Sequence, residues 1–292
     1  MISEEKLTIE PSAPSPGTVV VSVHVSAPVE RVWQSLTEPV IVSCWFGNLS
    51  DELVPGGTAR LDFGDGDFFD LESIRLAAPG LLQYRWRFLG IGPQDTVTWQ
   101  LEPTREGCLA TVTDGEVGRT HEAAMMLRAG WLDFTSRLVR FHSTGEPTRY
   151  DWRRGLDVSL EIQSTAHETW ETLSAPEGQT RWLPFNSMLQ SGSRAEISDE
   201  EEPRLFSLYN VTWQTPYCVK FQMSCDDWTN PTNCQIDLTP RQAGLLLNVS
   251  HNGWEDISPD QVEQLRQRKR FCALWIAALK RARQRVAPEG IV

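Results

Sequence analysis

Hydrophobic and polar residues alternate in two stretches of the chain, residues 19–26 and residues 156–163. In the first stretch Val21, Val23 and Val25 share one face, and mainly polar residues occupy the other. A period of two is typical of a strand that buries one face. We therefore predict a strand at each place, and each strand begins a folded unit.

The second stretch belongs to a copy of the first, displaced along the chain by a constant offset. The pairs that share this offset are Trp33 and Trp170, Leu36 and Leu173, Pro39 and Pro176, and Trp45 and Trp182. Four matches at one offset predict two copies of one fold. In each copy the pattern predicts two short helices that meet at the proline and end near the second tryptophan. Thr165 and Glu168 predict a capping box at the start of the second pair of helices.

Each copy continues with short β-type segments and ends in one long amphipathic helix. The segments are residues 61–76, 82–90, 95–103 and 108–116 in the first copy, and 204–214, 217–225, 234–240 and 244–253 in the second. Asp65-Gly66 predicts a hairpin turn, and residues 258–261 predict a capping box before the last helix. A curved antiparallel sheet around a long helix buries both apolar faces, so we predict an α+β fold with two such helix-grip units.

The length of 292 residues suits two domains of ordinary size. We expect a flexible leader over residues 1–16, a first domain over 17–143, a linker over 144–153 and a second domain over 154–287. Twelve residues are tryptophan. Because an indole is hard to bury completely, tryptophans often keep one edge near a cavity or an interface.

The charge and the cysteines narrow the class of function. A formal net charge of −12 argues against binding to nucleic acid or to an anionic membrane surface. The six cysteines form no CxxC pair, and no histidine lies at zinc-ligand spacing, so we expect no metal and no cofactor. Without a signal-peptide pattern or a membrane-span pattern, we expect a cytoplasmic protein with reduced thiols.

Three motifs resemble a known family. SAPVERVWQSLTEPVIVSCWF (26–46), the turns TDGE (113–116) and HNGW (251–254), and AGWLDFTSRL (129–138) are similar to the START-like (SRPBCC, helix-grip) superfamily, in the branch of the Hsp90 ATPase activator homologues. The resemblance covers residues 17–143 and 154–287. The second copy departs from the pattern in its last helix, where Leu274-Trp275 stands in place of Gly130-Trp131.

This resemblance implies a hydrophobic cavity between the sheet and the long helix of each copy. Members of the superfamily include lipid carriers, aromatase/cyclases of polyketide pathways, and proteins that bind and inactivate their producer's own antibiotic. The tandem arrangement is similar to the two-domain START proteins of enediyne antibiotic clusters, which are relatives of the calicheamicin self-sacrifice resistance protein.

Large apolar side chains are the candidate ligand-binding residues. They are Trp86, Phe88, Trp99, Trp131, Phe134 and Leu138 in the first domain, and Trp213, Phe221, Met223, Phe271 and Trp275 in the second. A mostly apolar pocket with few polar groups suits a planar or lipid-like ligand. Ordinary core packing is the competing interpretation for each residue, and it is the commoner role for aromatic residues at such spacing.

Three functions are compatible with the sequence. The first is non-catalytic binding of a hydrophobic or aromatic natural product, of the polyketide or enediyne type, for self-resistance, sequestration or transport. The second is a polyketide aromatase/cyclase, which needs a buried acid or base from a set comprising His24, His121, Arg85 and Arg87. The third is an Hsp90 co-chaperone. His251 precedes a turn signal and is interpreted as a turn residue, no catalytic residue is predicted, and the oligomeric state is left open.

Overall fold

The computed structural model describes residues 17–115, 119, 121–150, 152–197, 204–241 and 244–286. The expected leader over residues 1–16 lies outside the described residues. So does the charge run Asp199-Glu200-Glu201-Glu202, which predicts a solvated loop. Within the described part of the chain, no helix is both long and apolar enough to cross a membrane.

The first half of the chain forms one antiparallel sheet and three helices. The sheet has the strand order β1-β7-β6-β5-β4-β3-β2. Along the chain the elements are β1 (Val19–Val25), α1 (Val29–Thr37), α2 (Pro39–Trp45), β2 (Asn48–Leu49), β3 (Ala59–Asp62), β4 (Phe68–Ala77), β5 (Leu81–Phe88), β6 (Gln94–Thr104), β7 (Gly107–Gly115) and α3 (His121–Thr144).

The second half repeats this connectivity with a sheet of order β8-β13-β12-β11-β10-β9. Its elements are β8 (Leu156–Ile162), α4 (Ala166–Ser174), α5 (Pro176–Trp182), β9 (Arg194–Ile197), β10 (Arg204–Gln214), β11 (Cys218–Ser224), β12 (Thr232–Arg241), β13 (Gly244–Asn252), a short 3₁₀ turn (Trp254–Asp256) and α6 (Gln261–Val286). The predicted α+β class, with two curled antiparallel sheets and a long helix in each half, is confirmed.

The two halves match in backbone detail as well as in order. A bulge interrupts β4 at Ser73, with φ 53°, and another interrupts β10 at Asn210, with the same φ. Gly107 and Gly244, at the start of β7 and β13, both adopt positive φ. A Cβ at either position would also collide with the carbonyl that ends the neighbouring first strand, so both positions require glycine. The constant offset of the repeat therefore holds from the first strand of each half to the last.

The helix starts are predicted correctly in one case and wrongly in another. Thr165 and Glu168 form the expected capping box of α4. The capping box expected over residues 258–261 is wrong, because α6 begins at Gln261 and the Asp260 carboxylate accepts from the Val262 N–H. The Ser258 hydroxyl accepts from the Asp260 N–H instead, which makes a turn just before the helix.

The two halves are packed against each other. The β3–β4 turn at Asp65-Gly66-Asp67 lies on α6, where Arg268 donates to the Asp65 carbonyl and the Asp67 carboxylate. Leu89 and Ile91, from the β5–β6 turn, belong to the hydrophobic core of the second half. The segment expected as a linker also takes part, since Trp152 is buried in that same core.

Candidate functional site

The candidate residues of the first half pack on one another. The Trp131 ring lies 5.2 Å from Trp86 and 5.6 Å from Trp99, centroid to centroid, and all three indoles are buried. Leu138 is fully buried in the same core, and Phe134 is partly buried against it. The structure therefore brings these five residues together at the centre of the first half.

Phe88 lies apart from that cluster. It is half-buried near the end of β5, 5.0 Å from Phe69 between ring centroids, and packs against the core of the second half. Its position is thus at the contact between the two halves.

Four of the five candidates in the second half are buried in its core. Phe221 and Met223 lie on β11, and Phe271 and Trp275 lie on α6. Phe271 makes ring contacts with Phe206 at 5.6 Å and with other aromatic residues of this core. These four side chains hold the long helix on the sheet.

Trp213 differs, because it is 38% exposed and lines a pocket. The pocket lies between the α4–α5 pair and the inner face of the second sheet. Its lining is largely apolar and consists of Trp170, Leu173, Ser174, Gln179, Trp182, Leu189, Trp213, Val219, Ile236, Leu238 and Leu247. The Trp170 and Trp213 rings meet edge to face with centroids 5.5 Å apart.

Gln179 and Trp182 have hydrogen-bond partners that fix the shape of the pocket. Gln179 donates to the Ser174 carbonyl at 2.6 Å and accepts from the Leu189 N–H at 2.8 Å, which ties the loop after α5 to the helix pair. The Trp182 indole N–H donates to the Leu173 carbonyl at 3.1 Å. Because these groups bond to the protein, the inner pocket presents mainly carbon to a ligand.

The pocket has a narrow interior and a wide mouth. The interior leaves only about 20 Å³ open to water, which is room for about one water molecule. The mouth adds about 410 Å³ between Trp170, Trp213 and the loop that carries Met188 and Gln190. Trp213 thus lies where the groove meets the interior.

The corresponding place in the first half is filled by an indole. Trp99 and Ile236 occupy one position of the repeat, and Trp99 is buried between Trp45, at 6.3 Å, and Trp131, at 5.6 Å. Leu76 stands at the position that corresponds to Trp213. The exchange of tryptophan for isoleucine on the inner face gives the second half room that the first half lacks.

A buried polar contact recurs beside the long helix of each half. In the first half the Trp131 indole N–H donates to Asp114 at 2.8 Å, and in the second half that of Trp275 donates to His251 at 3.1 Å. Asp114 and His251 are separated by the offset of the repeat, so they occupy equivalent positions in the two copies. This role of His251 was not predicted from the sequence, although Asp114 in TDGE and His251 in HNGW are related by the same offset as the tryptophan pairs.

His251 is held in its neutral form. It is fully buried, and burial lowers the pKa of its imidazole to about 3. Its Nε2 bonds to the Thr232 hydroxyl at 2.8 Å, and its Nδ1 accepts from Trp275. Both ring nitrogens therefore serve the core, and the imidazole is not placed to act as an acid or base on a ligand.

The groups on which a cyclase would depend lie at the outer side of the first half. His24 is exposed and bonds to the Thr104 hydroxyl at 3.0 Å, and His121 and Arg85 are exposed as well. Arg87 is half-buried and donates to the Gly92 carbonyl at 2.9 Å. None of the four lines the pocket at Trp213.

Comparisons with known proteins place the chain in a family. The family model described as activator of Hsp90 ATPase homolog 1-like protein matches residues 26–143. The crystal structure of DynU16, from the dynemicin biosynthetic locus, is 36% identical, covers 93% of this chain and 99% of its own, and has a TM-score of 0.85. CalU16 from Micromonospora echinospora is 22% identical over 44% of this chain and 76% of its own, with a TM-score of 0.39. No curated protein matches. The chain therefore belongs to the activator of Hsp90 ATPase homolog 1-like family and shares the helix-grip fold of DynU16 over nearly its whole length.

Proposed function

We propose that this protein binds one hydrophobic or aromatic small molecule, of the polyketide or enediyne type, in the pocket at Trp213. Such binding would serve self-resistance, sequestration or transport in the producer of that molecule. The apolar pocket between α4, α5 and the second sheet carries this proposal, because its lining suits a planar and largely apolar ligand. The occurrence of DynU16 in the dynemicin biosynthetic locus supports the choice of ligand class.

Trp213 acts as the gate of the pocket in this proposal. A ligand of natural-product size exceeds the interior volume, so the Trp213 side chain must move outward from its contact with Trp170. Trp213 lies beyond the bulge of β10 and is partly exposed, so its displacement disturbs little of the core. The two indoles then provide flat surfaces for an aromatic ligand, on which stacking is favourable by about 0.5–1.5 kcal/mol per pair.

The polar groups at the mouth fix the orientation of the ligand. Ser174, Gln190 and Thr215 line the outer groove next to the two indoles. An enedione, quinone or hydroxyl group of the ligand can bond there while its apolar body lies inside. We expect one molecule per chain, since Trp99 fills the corresponding space in the first half.

Calorimetric titration of the full chain tests the proposal. The ligands are dynemicin and the neutral aromatic probe N-phenyl-1-naphthylamine. The variant Ile236→Trp places an indole where the first half has Trp99 and is expected to abolish binding. Trp213→Ala is expected to weaken it about tenfold or more, which corresponds to about 1.4 kcal/mol.

Tyr217→Ala is the matched control, because Tyr217 is an exposed aromatic residue that does not line the pocket. Far-UV circular dichroism and the melting temperature establish that each variant is folded. Wild-type affinity in folded Ile236→Trp, or equal losses in Trp213→Ala and Tyr217→Ala, would contradict the proposal.

A further inference from the structure

A second cleft lies on the first half, away from the pocket at Trp213. It is formed by α1, α2 and the C-terminal end of α3, and the volume open to water within it is about 330 Å³. Small-molecule pockets commonly occupy about 300–1,000 Å³. The cleft lies outside the buried aromatic core, so a ligand can enter it without unpacking the first half.

One edge of the cleft carries a cation that has no acidic partner among the described residues. Arg31 is exposed, and its guanidinium donates a long 3.4 Å hydrogen bond to Gln34 on the same helix. Among the described residues no carboxylate lies within ion-pair distance of Arg31. A guanidinium of this kind can donate two parallel hydrogen bonds to a carboxylate.

A rigid polar pair stands beside that cation. The Ser35 side chain is buried, and its hydroxyl donates to the Arg31 carbonyl at 3.1 Å and contacts His142 Nε2 at 3.0 Å. Burial and the charge of Arg31 both lower the pKa of the His142 imidazole. The imidazole is therefore neutral near pH 7, and the positive charge of this edge comes from Arg31.

The opposite side of the cleft is apolar. Val40 is 80% exposed, and Ile41 and Phe141 continue the same surface towards α3. The cleft thus has a positively charged edge on one side and an apolar surface on the other. This combination matches an amphipathic anion rather than a neutral hydrocarbon or a highly charged polyanion.

The cleft residues Arg31 and Cys44 are not required by the fold that the two halves share. At the matching positions of the second half, Glu168 stands for Arg31, and Arg181 stands for Cys44. Glu168 there closes the capping box of α4, so the position that carries a cation in the first half carries a structural anion in the second. The charge of the first cleft is therefore independent of the packing that the two halves share.

We propose that this cleft binds a small monocarboxylate with an apolar body, such as a medium-chain fatty acid. The carboxylate bonds to Arg31 and Gln34, and the hydrocarbon tail lies along Val40, Ile41 and Phe141. This cleft is separate from the pocket at Trp213, and ligand binding to the two sites can be tested independently.

Titration of the full chain with octanoate, followed by calorimetry, tests this second site. Arg31→Gln is expected to weaken octanoate binding about tenfold, the effect of losing one charge-assisted hydrogen-bonding group. Arg105→Gln, which removes an exposed cation from the β6–β7 turn, is the matched control and should leave the affinity unchanged. Octanol, which has the same hydrocarbon tail without the charge, should bind more weakly than octanoate.

The Ile236→Trp variant separates the two sites, because it closes the pocket at Trp213 and should retain octanoate binding. Loss of octanoate binding in that variant, equal affinity in Arg31→Gln and Arg105→Gln, or equal affinity for octanoate and octanol would each overturn the proposal. Absence of binding up to about 10 mM octanoate, an affinity weaker than about 3 kcal/mol, would overturn it as well.

Discussion

Replacing Arg268 by methionine is expected to lower the free energy of unfolding by about 3–5 kcal/mol. The Arg268 side chain is fully buried at the contact between the two halves. It donates to Asp67 Oδ2 at 2.8 Å, to the Asp65 carbonyl at 2.5 Å and to the Gly155 carbonyl at 2.5 Å. One side chain therefore joins α6 to the β3–β4 turn of the first half and to the residue just before β8.

The magnitude follows from what the substitution leaves behind. Asp65 and Asp67 are buried, and with methionine at position 268 the Arg153 guanidinium, 3.2 and 3.3 Å away, is their one remaining ion-pair partner among the described residues. Removing one partner of a buried ionic group costs about 3–5 kcal/mol, because an uncompensated charge stays in the interior. Methionine keeps much of the side-chain volume, so the loss reports on charge and hydrogen bonding more than on a cavity.

The cost should decrease in acid. Burial raises the pKa of Asp65, but the charges of Arg153 and Arg268 and the hydrogen bonds from Arg153 outweigh it, so that pKa lies below its ordinary value. Its contribution to stability is thus complete above the ordinary carboxyl pKa and disappears as the pH falls through the lowered one. Burial outweighs the charges of Arg153 and Arg268 at Asp67, so the pKa of that carboxyl is already raised in the wild type. Loss of Arg268 raises the pKa of both carboxyls further, so protonation in acid offsets part of the cost of the substitution.

Urea unfolding, followed by tryptophan fluorescence and circular dichroism at pH 7 and pH 4.5, measures the effect. Arg266→Met is the control, because Arg266 is exposed and pairs with Glu263 only one turn away, an interaction of about 0–1 kcal/mol. The double variant Asp67→Asn with Arg268→Met should recover about 1 kcal/mol or more. The reasoning is refuted if Arg268→Met costs no more than Arg266→Met, or if the Asp67→Asn substitution recovers nothing.

Three further outcomes are expected. Trp99→Ala should cost about 3–5 kcal/mol and, where circular dichroism shows a folded protein, add a second N-phenyl-1-naphthylamine site by calorimetry; an unchanged stoichiometry would show that Trp99 does not fill a cavity. Because the pKa of His251 is lowered to about 3, the folded protein does not take up the proton that the unfolded chain binds below about pH 6.5. Wild-type stability should therefore fall by about 2 kcal/mol between pH 6.5 and pH 5 through this residue, and His251→Gln should remove that part of the slope in urea unfolding, whereas equal slopes would argue against it. Thr165→Ala should cost about 1 kcal/mol by removing the cap that accepts from the Glu168 N–H, and Thr180→Ala, at an exposed position of α5, should stay within about 0.5 kcal/mol; similar losses in both variants would contradict the role of the cap.

Local patterns in the sequence predict much of the fold. Alternation over residues 19–26 and 156–163 predicts the first strand of each half, and Thr165 with Glu168 predicts the start of α4. The repeat at a constant offset predicts two copies of one architecture. These features depend on residues close together in the chain, or on a register that two equal segments share, so neither needs a three-dimensional contact to be recognised.

Local patterns do not predict the pocket at Trp213, because its volume depends on side chains that are distant in the sequence and meet in the folded protein. The sequence identifies Trp99, Trp131 and Trp213 equally well as apolar residues at regular spacing. Only the tertiary structure shows that Trp99 fills the first half, while Ile236 leaves space and Trp213 stands at the opening. The volume of a cavity is the difference between the space that the backbone encloses and the side chains that occupy it, and no local pattern measures that difference.

The sequence by itself thus determined the α+β class, the tandem repeat and the large apolar side chains from which the two cores are built. Tertiary structure decided which half keeps a pocket, where His251 is buried, and how Asp65 and Asp67 meet Arg268. The matching tryptophans of the last helices, Trp131 and Trp275, are further apart along the chain than the other pairs of the repeat, so the offset alone does not align them. The physical reason is the separation along the chain of the residues involved. Periodicity depends on residues that are close together in the sequence, whereas burial and ion pairing depend on residues that only folding brings into contact.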